Sequence, residues 1–167
     1  TAVDCLFERV DLTRARLTGL TLERCQFLGC RLTSAHLAES TLRDVLFEDC
    51  RLDLVTLDDV ETNGPVAFVG CVLVDAVIRD CRIRGAVFAG CRLRQVAFTS
   101  CDLLGTDIRG NRLTDISGNV VTVGIRAIET PDCVLHAVFC RKPEQRLRTR
   151  RASGKRVTRG GTEQSNR

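Results

Sequence analysis

Apolar and polar positions alternate along this chain with a period of five. Every fifth residue from Phe7 to Leu57 is Leu or Phe: Phe7, Leu12, Leu17, Leu22, Phe27, Leu32, Leu37, Leu42, Phe47, Leu52 and Leu57. After a slip of one residue the beat resumes as Phe68, Leu73, Ile78, Ile83, Phe88, Leu93, Phe98, Leu103, Ile108 and Leu113. A helix repeats every 3.6 residues and a flat strand every 2, so neither sustains this period. The chain is a repeat array, and its architecture follows from the repeat.

A slower rhythm lies on top. Phe7, Phe27, Phe47, Phe68 and Phe88 are separated by 20, 20, 21 and 20 residues, so four units make one structural period. Two residues before most of the apolar centres stands a small side chain. Cys5, Cys25, Cys30, Cys50, Cys71, Cys81, Cys91 and Cys101 share that slot with Ala15, Ala35, Ser40, Val45, Val55, Ala76, Ala86 and Thr106. Free Cys packs as a small buried hydrophobe, so these thiols read as reduced and structural, in a cytosolic compartment. Cys133 and Cys140, outside the repeat, are the one pair for which a disulfide is considered.

Written in fives, residues 5–24 read CLFER, VDLTR, ARLTG, LTLER. This resembles the pentapeptide-repeat family, whose consensus A(D/N)LXX has a small first residue and Leu or Phe third. The consensus Asp or Asn at the second place is largely missing here, with Asp11, Asp102 and Asp107 among few matches. The resemblance implies an all-β fold, a right-handed quadrilateral parallel β-helix of five to six coils. First and third residues point inward, which places the five Phe above one another as core; the other three face solvent or form corners. Glycines near the ends of units, such as Gly70 and Gly90, suit corners of positive φ.

Three regions follow: a β-helix over 1–118, a C-terminal cap or dimerisation segment over 119–140, and a basic tail over 141–167. A one-residue insertion falls within 58–67, where Asn63-Gly64-Pro65 signals a turn. It reads as a bulged corner in the third coil; a recognition loop is the functional alternative, because family members carry loops where they touch partners. The chain starts at Thr1 inside a repeat, so further sequence is expected before it.

Charge changes the picture of the surface. Net charge is +4 overall, yet the tail holds ten Arg or Lys against Glu144 and Glu163. Such a tail is expected to be disordered and to contact nucleic acid weakly and without sequence preference. In the body, Glu39, Asp44, Glu48, Asp49, Asp53, Asp58, Asp59 and Glu61 form an acidic stretch. A basic stretch from Arg79 to Arg94 follows it. Some pentapeptide-repeat proteins bind bacterial DNA gyrase by mimicking duplex DNA, and so protect it from fluoroquinolones. The resemblance therefore implies a bacterial, cytoplasmic, non-catalytic protein with a protein partner, of which a gyrase-like topoisomerase is one, and a homodimer through the C-terminal cap. Ala67, Val69, Val87 and Ala89 mark a second candidate surface, apolar and suited to a general interaction scaffold.

No catalytic constellation, cofactor or metal is expected. His36 and His136 stand far apart in the sequence, no nucleophile motif or phosphate-binding loop occurs, and the Cys spacing does not suit a zinc site. No apolar run reaches 18 residues, so no membrane span is expected.

Overall fold

The computed structural model describes residues 1–120. The 141–167 tail, the Cys133–Cys140 pair, and all but the first two residues of the 119–140 segment lie outside the described residues.

The described chain is a right-handed, four-sided β-helix of parallel strands. Each unit lays down about three extended residues and then turns, so consecutive units fall on successive faces. The first face carries Ala2–Val3, Thr21–Glu23, Thr41–Arg43 and Glu61–Thr62. The second carries Leu6–Glu8, Gln26–Leu28, Val45–Glu48, Val66–Val69 and Val87–Ala89. Val72–Val74, Arg92–Arg94 and Arg112–Thr114 form the third, which single bridges continue back through Arg51 and Arg31 to Asp11. The fourth runs unbroken through six strands, Arg16–Thr18, His36–Ala38, Thr56–Asp58, Val77–Arg79, Ala97–Cys101 and Ser117–Val120. That count gives six turns.

Register fixes which residues become neighbours. Phe7 pairs with Phe27, Phe27 with Phe47, Phe47 with Phe68 and Phe68 with Phe88. The rings are stacked, with centroids 4.5, 4.8, 4.9 and 4.6 Å apart and planes within 13° of parallel. These distances match the spacing of paired strands, about 4.8 Å. Centres on the other faces, such as Leu32, Leu73, Ile78 and Leu93, are buried beside the stack in one continuous core.

At the corners the fifth residue of a unit takes a left-handed conformation. Fifteen non-glycine residues do so, among them Asp4, Asp44, Asp49, Asp59, Asp75, Asp80 and Asp115. Asp and Asn tolerate this region better than most side chains. The turn lets the corner amide bond the next coil: Arg9 N donates to Leu28 O at 2.8 Å, and Asp49 N to Val69 O at 2.9 Å. Gly70 meets a second demand, because a Cβ there would lie 2.3 Å from Asp49 Oδ1.

The inserted residue is taken up within the corner between the first and second faces. Asn63 N donates to Leu42 O at 2.8 Å, and Val45 N to Pro65 O at 3.1 Å. Val66 then pairs in register with Val45. The ladder therefore resumes at once, and the extra residue makes a bulged corner rather than a separate loop. Thr62, a polar residue at an inward centre, is satisfied by its neighbours: its hydroxyl accepts from Arg84 N at 3.0 Å and lies 3.1 Å from Arg84 O.

The apolar beat ends at Leu113, but the strand ladder continues to Val120. Gly118 occupies the next inward centre, and a Cβ on it would stand 1.8 Å from Phe98 O. Backbone fills the space there that a side chain fills below.

The cysteine slot proves to be polar as well as small. Cys30, Cys50 and Cys91 each donate to the carbonyl of a Phe one turn back, Phe7, Phe27 and Phe68, at 3.2 Å. Sulfur can also accept, as Val60 N donates to Cys81 Sγ at 3.4 Å. Ser40 and Asn111 do the same work in the same slot, accepting from Leu20 N and Cys91 N. All eight described thiols are free. Contact with Cys50 and Cys91 and burial push the Cys71 thiol up, so it stays neutral.

Two outcomes test this core. Phe47→Ala breaks the middle of the ring stack and should cost about 3–5 kcal/mol in denaturant unfolding. Alkylation with peptide mapping should find Cys25, Cys30, Cys50, Cys71, Cys81, Cys91 and Cys101 protected until the chain unfolds, with Cys5 reacting first, because only Cys5 of the eight is incompletely buried.

Candidate interaction surfaces

Inward positions are almost wholly apolar, including those that line a cavity of about 180 Å³ at the first turns between Phe7, Leu12, Leu17 and Leu22, so function is sought on outward residues and corners. The eight acidic residues of the 39–61 stretch do not gather on one face. Glu39 and Asp59 occupy the corner between the fourth and first faces, Asp44 the corner between the first and second, and Asp49 that between the second and third. Glu48, Asp53, Asp58 and Glu61 lie one on each face, the second, third, fourth and first respectively. They form a girdle around the third turn.

Half of this girdle is neutralised. Arg79 Nη2 donates to Asp58 Oδ2 at 2.6 Å, and Arg82 reaches Glu61 at 3.5 Å. Arg51 lies 3.5 Å from Asp53, and Arg43 3.8 Å from Asp44. Arg79 and Arg82, which follow the acidic stretch in sequence, are thus its counter-ions in space, so the basic stretch 79–94 is divided between pairing with that girdle and other roles. Arg84 likewise bonds Asp102 at 2.6 Å. The surface pairs are worth little in stability, but they remove charge from the outer field. The Arg79 hydrogen bond holds the Asp58 carboxyl below its ordinary range, as Arg24 does for Asp4.

Glu39, Glu48, Asp49 and Asp59 form no ion pair among the described residues. Asp80 joins them in a way that a linear window conceals. Lying between Arg79 and Arg82 in sequence, it reads as part of a basic stretch; in space it continues the corner of Glu39 and Asp59. Corner amides tie the column together, with Glu39 N donating to Asp58 O at 2.9 Å and Asp59 N to Arg79 O at 3.2 Å. Counting 20 and then 21 residues from Glu39 leads to it.

The four residues of the apolar candidate lie on adjacent strands. Ala67 pairs with Val87 and Val69 with Ala89. Val69 is 36% and Val87 43% exposed, whereas both alanines are half-buried. Towards the first turn, Gln26 and Glu48 interrupt the apolar character. His36 is outward on the fourth face, 4.0 Å from Asp58. Among the described residues no cluster of His, Cys, Asp or Glu is arranged to hold a metal ion, and no helix is long and apolar enough to cross a membrane.

A four-sided solenoid built from five-residue units, with an apolar core and a patterned exterior, defines a class of repeat proteins. Residues 2–71 match the family described as "Pentapeptide repeat region" and residues 76–115 that described as "Pentapeptide repeats (8 copies)". The chain belongs to the pentapeptide-repeat family. It is 32% identical over 112 residues to the pentapeptide repeat protein MfpA of Mycobacterium tuberculosis, covering 67% of this chain and 55% of that protein, so it spans little more than half the relative's length. Among solved structures it is similar to the pentapeptide repeat protein Rfr23 of the cyanobacterium Cyanothece 51142, at 16% identity and TM-score 0.28, over 70% of this chain and 86% of that one. Full-length QnrB1, a plasmid-mediated fluoroquinolone resistance protein, matches at 17% identity and TM-score 0.26, over 71% of this chain and 93% of that one.

Acid should weaken the fold through the paired carboxylates. A depressed folded pKa adds stability that is present above the unfolded value, 3.8 for Asp58, and is lost as pH falls through the folded value. Thermal unfolding should therefore show a falling midpoint below about pH 4, and Arg79→Gln should flatten that limb by lowering the midpoint slightly at pH 7 while leaving it unchanged in acid.

Proposed function

We propose that this chain is a non-catalytic solenoid that acts by surface recognition, as a DNA-like partner of a gyrase-type topoisomerase in the bacterial cytoplasm. The observation that carries the reading is the acidic column Glu39–Asp59–Asp80, which repeats at the strand spacing along a straight corner. A DNA-binding cleft is positively charged and recognises closely spaced negative groups on a stiff rod. Carboxylates held at about 4.8 Å intervals by a hydrogen-bonded ladder present such an array without the flexibility of a loop. Glu48 and Asp49 add unpaired negative charge on the second face and its far corner. The resemblance to gyrase-binding members of the family points to the same partner class.

The eight described cysteines, all free thiols, suit a reducing compartment. Dimer formation through residues 119–140, of which all but the first two lie outside the described residues, and nucleic-acid contact through the 141–167 tail are further proposals. A general scaffold role draws its support from the exposed valines of the second face.

Gyrase supercoiling provides the test. The full chain in molar excess should inhibit supercoiling or relieve fluoroquinolone poisoning. Neutralising the column with Glu39→Gln, Asp59→Asn and Asp80→Asn should weaken that effect about tenfold, in keeping with the loss of several charge contacts, without moving the unfolding midpoint. Asn is chosen because it keeps the left-handed corner. No effect of the wild-type chain at excess, or equal potency of the neutral variant, would overturn the reading.

A further inference from the structure

Most arginines on this rod follow one rule: each meets a carboxylate on the same turn or a neighbouring one. Arg24 bonds Asp4 at 2.6 Å, Arg31 lies 3.6 Å from Asp11, Arg79 bonds Asp58, Arg82 reaches Glu61 and Arg84 bonds Asp102. The third face breaks the rule over its last two turns. Arg92 pairs in register with Val72 below and Arg112 above, while Arg94 pairs with Val74 below and Thr114 above. All three arginines are exposed, and none has an ion pair among the described residues. Asp75 and Asp115, on the neighbouring corner, do not pair with them either. Like charges directly opposite on paired strands are destabilising. Arg9, Arg14 and Arg16 are also unpaired, but they are spread over two corners and the fourth face of the first turn.

Around the corner lies apolar surface. Val72 and Val74 sit one turn below the arginines, and Val69 and Val87 are exposed on the adjoining second face. Glycine forms the corner between the two faces at all three upper turns, as Gly70, Gly90 and Gly110. At Gly90 and Gly110 even an added Cβ would meet nothing within 4 Å, so over the last two turns no side chain walls one face from the other; at Gly70 the Asp49 carboxylate closes the lower end of the corner.

We propose that the second and third faces, over the last three turns, form a docking surface for an acidic, aliphatic protein segment. Carboxylates of the segment would engage the Arg92–Arg94–Arg112 cluster, whose guanidinium forks match carboxylate geometry. Its aliphatic side chains would cover the valines, and the bare glycine corner lets its backbone lie close. A nucleic acid fits less well: it would gain phosphate contacts but would leave the valines uncovered, and the surface offers no aromatic side chain for base stacking. A membrane fits less well too, since small valines on a flat sheet lack the bulky apolar residues that insert at a lipid interface. This surface is separate from the acidic column, which occupies the diagonally opposite corner.

Fluorescence anisotropy on the full chain tests the proposal, with a labelled peptide of Glu-Leu and Asp-Val pairs as probe. An oligothymidylate and vesicles of phosphatidylcholine with phosphatidylserine are the competing arms. Saturable peptide binding should fall about tenfold in the charge-reversed variant R92E/R94E/R112E, from the loss of several contacts together. It should fall several-fold in V69S/V87S and stay within about twofold in the control R9E/R14E. If charge reversal disturbs folding, R92Q/R94Q/R112Q replaces it, with the same direction expected. The basic tail is common to every variant. Binding that rests on the tail would therefore leave R92E/R94E/R112E equal to wild type and overturn the proposal. Loss of the same size in the first-turn control would also overturn it. So would oligothymidylate or vesicle binding that depends on the three arginines more strongly than peptide binding does.

Discussion

Everything in this molecule depends on hydrogen bonds between successive turns. A strand of three residues cannot hold itself extended, because it gains too little to offset the entropy of fixing its backbone. It persists because its amides and carbonyls are shared with the turns on either side. The ladder runs around the corners as well as along the faces, so each turn is clamped at many points to the next. From this comes a strict register, and from the register come both the core and the surface pattern. The phenylalanine stack is its clearest product: four ring pairs keep nearly one spacing, including the pair that spans the insertion.

The same ladder explains why the core is legible in the amino-acid sequence. Inward centres recur every fifth residue because the turn geometry admits nothing else, and bulk at those places is visible as Leu, Ile or Phe. Even the insertion is legible, since one extra residue between Leu57 and Phe68 has to be absorbed somewhere, and Asn63-Gly64-Pro65 marks the place. Other features escape a reading by period alone. Cysteine in the small slot suggests a matter of size, whereas its sulfur bonds inward-facing backbone groups, the role that Ser40 and Asn111 fill elsewhere. Gly118 hides the sixth inward centre of its face, because backbone there replaces the side chain that a periodic search looks for.

Surface charge is harder to read, for a physical reason. In a solenoid, residues 20 or 21 apart are closer neighbours than residues five apart, so a window of sequence samples all four faces at once. Along the sequence the acidic stretch and the basic stretch resemble two bands on the rod. In three dimensions they interlock, and Arg79 and Arg82 cancel Asp58 and Glu61. What remains uncancelled differs from either stretch: a carboxylate column on one corner, Glu48 and Asp49 beside the second face, and an arginine cluster on the third face. Asp80 belongs to the column despite its basic neighbours, and Arg92 and Arg94 to the cluster.

The left-handed corners have a further bearing on how such a surface arises. Once per unit the backbone asks for a residue that accepts positive φ, and the side chains that do so most easily are Gly, Asn and Asp. Of these only Asp carries charge, and that charge is negative. A lineage drifting under stability alone would thus accumulate carboxylates at the rod's edges, at regular intervals, before any partner exerted selection. Resemblance to a phosphate backbone would then begin as a by-product of stereochemistry, available for recognition to refine.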